Sequence, residues 1–270
     1  MKIAFIGGGN MASALIGGLI KRGAAARDIL AIDVNETARS ALAQQYGVDT
    51  AAAPSDRLRD FDALVLAVKP QVLKEVAQSL TPHLSGQLVI SIAAGIRASD
   101  LAGWLGGHHK IVRCMPNTPA LIGMGITGLA ALSGVDSDQR KLAENVLSAA
   151  GQIVWVEKET QLDGVTAISG SGPAYVFYFI EALQQAAQEL GFTDEQSRQL
   201  AIATFTGAAQ LAAQSSDPAS VLRERVTSKG GTTAAALASF ERDAIKAAIV
   251  RGVHAANTRA KELGDELGGA

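Results

Sequence analysis

The sequence predicts an open, doubly wound α/β sheet followed by an all-helical domain. Three observations carry this. Strand-like and helix-like segments alternate from the first residues through Glu157. From Gly164 onward strand patterns vanish and only helical spacing remains. A glycine cluster closes the first strand and opens the first helix. Alternation of that kind makes a parallel sheet with helices on both faces. With 270 residues, the chain suits one large domain or two of ~150 residues each.

In chain order, Lys2–Ile6 is a short apolar run ending in glycines. Asn10–Lys21 has helical spacing and stops near Gly23. Ile29–Asp33 reads as a strand, and Glu36–Gln45 as a helix closed by Gly47. Ala63–Val68 is apolar throughout, the pattern of a strand buried on both faces. Lys69-Pro70 ends it, and a helix follows to Leu80. Gln87–Ala93, Lys110–Met115 and Gly151–Glu157 are the remaining strands. Helices are expected beyond them at Ala174–Leu190, Asp194–Gln214, Ala219–Arg225, Thr233–Phe240 and Asp243–Glu262. Pro173 suits a first-turn position and Gly191 a C-terminal cap. The boundary is placed at Leu162–Gly164, giving domains 1–163 and 164–270. Tyr175, Phe177, Tyr178 and Phe179 crowd one turn and a half, so that helix is apolar nearly all round. Both of its sides must be covered, by a core or by a partner subunit.

Composition excludes several classes of function. Apolar residues make up 48% of the chain, ample for a core. The net charge is −2 and no basic run occurs, which argues against nucleic acid as a partner. Cys114 is the single cysteine, so no disulfide can form within the chain, which fits a reducing, cytoplasmic setting. His108 and His109 are adjacent but lack other ligands at metal spacing, so no metal site is expected. The N-terminus lacks signal-peptide character, and Ala174–Ile180 is too short to span a bilayer.

The first glycine cluster is Gly7-x-Gly9-x-x-Ala12, with Asp33 at the end of the second strand. Strand, turn, helix and acid together form the fingerprint of a Rossmann-type dinucleotide site. Gly7 allows the tight turn, Gly9 admits a pyrophosphate to bare backbone, and Ala12 keeps the helix close to the sheet. Gly8, Asn10 and Met11 complete the loop and helix N-terminus facing the phosphates. Asp33 is placed to accept from an adenosine ribose, favouring NADH. Asn35, Thr37 and Arg39 offer a counter-case for NADPH, because helical side chains lean toward the N-terminus. Both cofactors stay open. Ala67-Val68-Lys69 and Ala93-Ala94-Gly95 follow the carboxyl ends of their strands and are expected to line the groove.

The motifs "GGGNMA", "LAVKP", "SIAAG", "RCMPNTPA", "SGSGPAYVF" and "VTSKGGTTAAAL" stand in this order along the chain. In this it resembles the pyrroline-5-carboxylate reductases nearly end to end. The resemblance implies reduction of the cyclic imine 1-pyrroline-5-carboxylate to L-proline with NADPH or NADH, the last step of proline biosynthesis. It implies a helical substrate and dimerisation domain similar to the C-terminal part of 6-phosphogluconate dehydrogenase. Homodimers, often assembled into homodecamers, are implied as well. By resemblance, the substrate carboxylate rests on Ser228, Gly230, Gly231 and Thr232, and the Thr233 hydroxyl meets the ring nitrogen. "MPNTPA" is left between a nicotinamide contact and a rigid structural turn. Where many relatives carry proline, Lys229 stands, read as a solvated charge or as added positive potential.

The residues support that chemistry on their own terms. Gly230-Gly231 expose backbone donors just before a helix, an anion-binding arrangement. Thr232 and Thr233 also read as candidate helix N-caps. A protonated imine needs a dry pocket, a hydride donor and a carboxylate anchor, but no general base. An alcohol does need one. Two-domain hydroxy-acid dehydrogenases place a lysine on the first long helix of the second domain, whereas Gly164–Gln188 contains none. The alternatives kept are another imine or hydroxy-acid reductase of this architecture, and a nucleotide-binding regulator without turnover.

Overall fold

The computed structural model describes residues 1–268. Its contacts divide the chain into two compact units: Met1–Ser171 with the residues from Ala256 onward, and Gly172–Ala255. The division lies beyond the expected break, which falls inside the short helix Gln161–Val165. The reason is a continuous helical path through Gln161–Val165 and the π turn Thr166–Gly170. Chain direction changes little there, so composition shifts before packing does.

The first unit holds one sheet of eight strands: β1 (Ile3–Ile6), β2 (Ile29–Ile32), β3 (Asp49–Ala51), β4 (Ala63–Leu66), β5 (Leu88–Ser91), β6 (Ile111–Met115), β7 (Gly125–Ala131) and β8 (Gly151–Trp155). They lie side by side as β3-β2-β1-β4-β5-β6-β7-β8. The helices of this unit are α1 (Asn10–Lys21), α2 (Glu36–Tyr46), α3 (Pro70–Leu80), α4 (Ala98–Trp104), α5 (Ser137–Leu147) and α6 (Gln161–Val165). Chain order reverses between β1 and β4, the crevice where doubly wound sheets bind ligands.

Alternating side chains of the fully buried strands feed two cores, as the period of two demands. Ile3, Phe5, Val65 and Ile90 pack with Leu15 and Ile16 of α1 and Val146 of α5. Ala4, Ile6, Leu64 and Val89 pack with Leu73 of α3 and Leu101 of α4 on the other face. The sheet is parallel from β3 to β6, but β7 runs antiparallel to β6, and β8 follows β7 in parallel. The wholly parallel sheet expected from alternation is therefore corrected at one edge. The sequence reading had no strands at β3 and β7 and no helices at α4 and α5. β3 is three residues long, and β7 reads GITGLAA, whose glycines and alanines carry little β signal.

The second unit consists of α7 (Gly172–Glu189), α8 (Asp194–Gln214), α9 (Ala219–Arg225), α10 (Thr232–Arg242) and the start of α11 (Ile245–Gly268). α8 and α9 match the expected bounds, while α11 runs on to Gly268 rather than ending at Glu262. A capping box between Thr193 and Gln196 starts α8. No residue of the described parts of α7, α9 or α10 is fully buried. Among the described residues, no helix is long and apolar enough to cross a membrane.

Candidate active site

The first glycine loop is held by backbone. Gly7 N–H donates to Ile32 O at 2.7 Å, and Ala67 N–H donates to Ile6 O at 2.8 Å. Gly7 adopts φ +105, and a Cβ there would meet Ala67 O at 2.7 Å. Only glycine combines that φ with that approach. Gly9 is the N-cap of α1 and offers no side-chain cap. A Cβ at Gly9 would meet nothing within 4 Å, and the first-turn N–H groups of Asn10, Met11 and Ala12 have neither an intrahelical partner nor a side-chain cap. Ala12 is fully buried against the sheet. An anionic pyrophosphate fits this arrangement, because the uncapped N–H groups and the helix dipole both favour negative charge.

Asp33 has a second task that spacing did not suggest. Its Oδ2 accepts from Gly8 N–H at 2.7 Å and its Oδ1 from Asn35 N–H at 2.8 Å. The carboxylate therefore braces the glycine loop, with lone pairs remaining for a ribose hydroxyl. Asn35 caps α2, its Oδ1 accepting from Thr37 N–H at 2.9 Å and Ala38 N–H at 3.3 Å. Arg39 leans back, and its Nη1 donates to Asp33 O at 2.7 Å and Val34 O at 3.1 Å. A cation thus stands at the carboxyl end of β2. A cavity of about 400 Å³ opens beside it, lined by Gly7, Asp33, Ala52, Pro54, Val68 and Val72 among others.

Ala67 and Val68 abut Gly7 across the crevice. Lys69 is the exposed N-cap of α3, with Pro70 at the first helical position. Ala93 packs into the core, while Ala94 and Gly95 are half-buried. "MPNTPA" forms a rigid turn: Asn117 Oδ1 accepts from Ile126 N–H at 2.9 Å, and its Nδ2 donates to Ser169 O at 3.1 Å.

The second glycine loop lies in the helical unit. Ser228 to Gly231 make a turn, with Gly231 N–H donating to Ser228 O at 3.1 Å and Gly230 at φ +73. That donor is therefore committed within the turn, unlike the free ligand the sequence suggests. α10 begins at Thr232, one residue earlier than expected, and Gly231 is its N-cap with no side-chain cap. Neither Thr232 nor Thr233 fills the cap position. The first-turn N–H groups of α10 remain open to an anion, with Thr233 half-buried beside them and Ser228 and Lys229 exposed.

The sequence reading passed over one charged cluster. Arg113 is 6% exposed; its Nη1 lies 3.0 Å from Glu159 Oε1 and its Nη2 3.7 Å from Asp163 Oδ1. Glu159 also accepts from Ala98 N–H at 2.7 Å. An arginine in an apolar strand required carboxylate partners, which was the available signal. Cys114 is buried beside it, and burial pushes its thiol far up, so it is no nucleophile. Among the described residues, no three His, Cys, Asp or Glu groups are placed to hold a metal.

The family model for pyrroline-5-carboxylate reductase dimerisation matches residues 159–263. Residues 2–95 match that for NADP oxidoreductase, coenzyme F420-dependent. The chain is 44% identical to the pyrroline-5-carboxylate reductase of Pseudomonas aeruginosa, over 99% of this chain and 98% of that one. It is 43% identical to that of Haemophilus influenzae, over 97% of each. Among solved structures, a pyrroline-5-carboxylate reductase from Coxiella burnetii superposes with TM-score 0.92 at 40% identity, covering 97% of this chain and 98% of that one. The Plasmodium falciparum pyrroline carboxylate reductase, with NADP bound, gives 0.86 at 32% identity over 98% of each. Prephenate dehydrogenase from Aquifex aeolicus, at 16% identity, over 91% of this chain and 98% of that one, and TM-score 0.54, shares the fold.

Proposed function

The chain belongs to the pyrroline-5-carboxylate reductase family, and from that premise we propose how its two glycine loops divide the work. It reduces 1-pyrroline-5-carboxylate to L-proline with NAD(P)H, in proline biosynthesis. The bound dinucleotide supplies the hydride. Gly7–Ala12 hold its pyrophosphate, Asp33 its ribose, and Ala67–Lys69 with Ala93–Gly95 flank the groove. Arg39 supports NADPH as the preferred form, since its guanidinium puts a fixed cation on the Asp33 and Val34 carbonyls, next to the acid assigned to the ribose.

Ser228, Gly230 and the first turn of α10 anchor the substrate carboxylate. The observation that carries this assignment is the uncapped helix N-terminus at Gly231, preceded by the Ser228–Gly231 turn. The Thr233 hydroxyl accepts from the protonated imine N–H and keeps that proton in place while the hydride adds to the imine carbon. The nitrogen of L-proline then carries the proton the imine brought. No general base is needed, in keeping with an α7 that contains no lysine.

The matched dimerisation region makes the protein a homo-oligomer. The helical unit supplies the dimer contact in this reading, and dimers assemble further into decamers without nucleic acid. The single unpaired cysteine supports a reducing compartment, the cytoplasm.

Steady oxidation of NADPH on adding pyrroline-5-carboxylate is the test, and absence of turnover with both nucleotides would overturn the assignment. Thr233→Val should lower kcat/KM by ~1.5–3 kcal/mol, the worth of a hydrogen bond to a charged group, with NADPH affinity unchanged. Unchanged kcat/KM would remove Thr233 from the chemistry.

A further inference from the structure

The last turns of α11 belong to the first unit and meet the loop that follows β5. Gly95 has φ +77, and a side chain there would meet Leu267 at 2.9 Å and the backbone of Leu263 at 3.6 Å. On the facing side, a side chain at Gly264 would meet the Arg97 guanidinium at 3.5 Å and Gly95 O at 3.6 Å. Helix and loop thus touch backbone to backbone through two glycines. Leu267 packs against the core cluster that holds Ala93, Ile96 and Ala98. Arg97 pairs with Asp265, a hydrogen bond that, with the nearby Asp100 and Asp163 charges, raises the arginine's affinity for its proton. From below, Ala98 N–H is held by Glu159, itself fixed by the buried Arg113. The loop from Ala93 to Ala98 is clamped on two sides, and one clamp comes from the far end of the chain.

We propose that Leu263, Gly264 and Leu267 are positioning residues for the cofactor loop Ala93–Gly95, so that the terminal helix sets the affinity for NAD(P)H. This rests on the reading of Ala93–Gly95 as one wall of the cofactor groove. The physical case is simple. A loop that must present bare backbone cannot brace itself with its own side chains. The exposed Arg97–Asp265 pair adds little energy alone; it orients the helix, and the apolar contact of Leu267 supplies the packing. A residue larger than alanine at Gly264 lifts the helix from the loop. Removing the Leu267 side chain leaves Gly95 unsupported.

The test uses the full chain, with Gly264→Val and Leu267→Ala set against the conservative Gly264→Ala and Leu267→Met. A Cβ at Gly264 makes only ordinary contacts at 3.5 Å, so alanine is tolerated. The expected result is a threefold or greater rise in both the NADPH Kd, from fluorescence titration, and the NADPH KM. The KM for pyrroline-5-carboxylate at saturating NADPH stays within twofold, and the conservative variants match the parent. Unchanged NADPH affinity in Gly264→Val and Leu267→Ala would overturn the proposal. So would a joint loss of kcat, both affinities and thermal stability, which marks a purely structural role. Ala94→Val separates the two layers of the argument. If it weakens NADPH binding while Leu267→Ala does not, the buttress fails and the groove stands. If Ala94→Val leaves NADPH binding intact, the loop is not part of the groove.

Discussion

Asp33 and Arg39 show how much of a site a single residue's partners decide. The spacing of Gly7, Gly9, Ala12 and Asp33 is a sequence signal because each residue type is required by local backbone geometry. The use of Asp33 as an acceptor for the Gly8 and Asn35 amides is not, because it depends on how the loop turns. The same holds at Gly231, whose N–H is taken up by Ser228 O inside a turn that the sequence only hints at. Arg39 was readable as leaning toward the N-terminus of its helix, and its guanidinium reaches the carbonyls of Asp33 and Val34. Replacing it therefore tests cofactor choice directly. Arg39→Ala should reduce kcat/KM with NADPH by on the order of tenfold to a hundredfold, the range of a charge-assisted hydrogen bond. With NADH it should change by less than threefold. Equal losses with both nucleotides would mean that Arg39 only braces the carboxyl end of β2.

At the scale of elements, legibility follows burial and length. β1 and β4 are continuous apolar runs buried on both faces, as β5 is up to Ser91, and such runs announce themselves. β7 is built from glycine, alanine and threonine between apolar residues, and its direction is set by pairing with β6 rather than by its own composition. α5 could have been found from its capping box, Asp136 and Gln139, ahead of a mostly polar helix. The approach to β6 also carries a pH-sensitive contact. His108 is half-buried, its Nε2 is 2.9 Å from Gln87 O, and burial lowers its pKa below the ordinary histidine value. Folding therefore favours the neutral ring. As pH falls through the unfolded value of ~6.5, the unfolded chain binds the proton first and stability declines. The decline is complete once pH has passed below the lowered folded value. His108→Gln should lose less melting temperature between pH 7 and pH 5 than the parent, as measured by thermal unfolding. An identical loss would show that His108 carries none of the acid sensitivity.

For the whole molecule, the two units differ in how they bury apolar surface. The sheet unit has a core on each face. The helical unit leaves Phe177 64% and Tyr178 71% exposed, with a groove of about 380 Å³ lined by Tyr175, Tyr178, Phe179, Ile245, Ile249 and Val253 among others. The aromatic helix was recognisable in the sequence as needing cover on both sides; which surface covers it was not, because one chain does not contain it. Apolar area of that kind marks a subunit contact. Light scattering should find a dimer or larger assembly at micromolar concentration, and Tyr178→Glu should shift it toward monomer with a lower melting temperature. A monomeric parent would overturn the reading. Cys114, the chain's single cysteine, lies buried on β6, paired in register with Leu129 of β7, with a thiol that resists ionisation. Thiol-directed dyes will find no target in the native fold. A cysteine installed on the surface, at exposed Val34 beside the cofactor cavity or at Lys229 ahead of α10, becomes the sole labelling point. The wild-type chain is thus ready for fluorescence or spin-probe measurements of nucleotide and substrate arrival, with no background thiol to remove first.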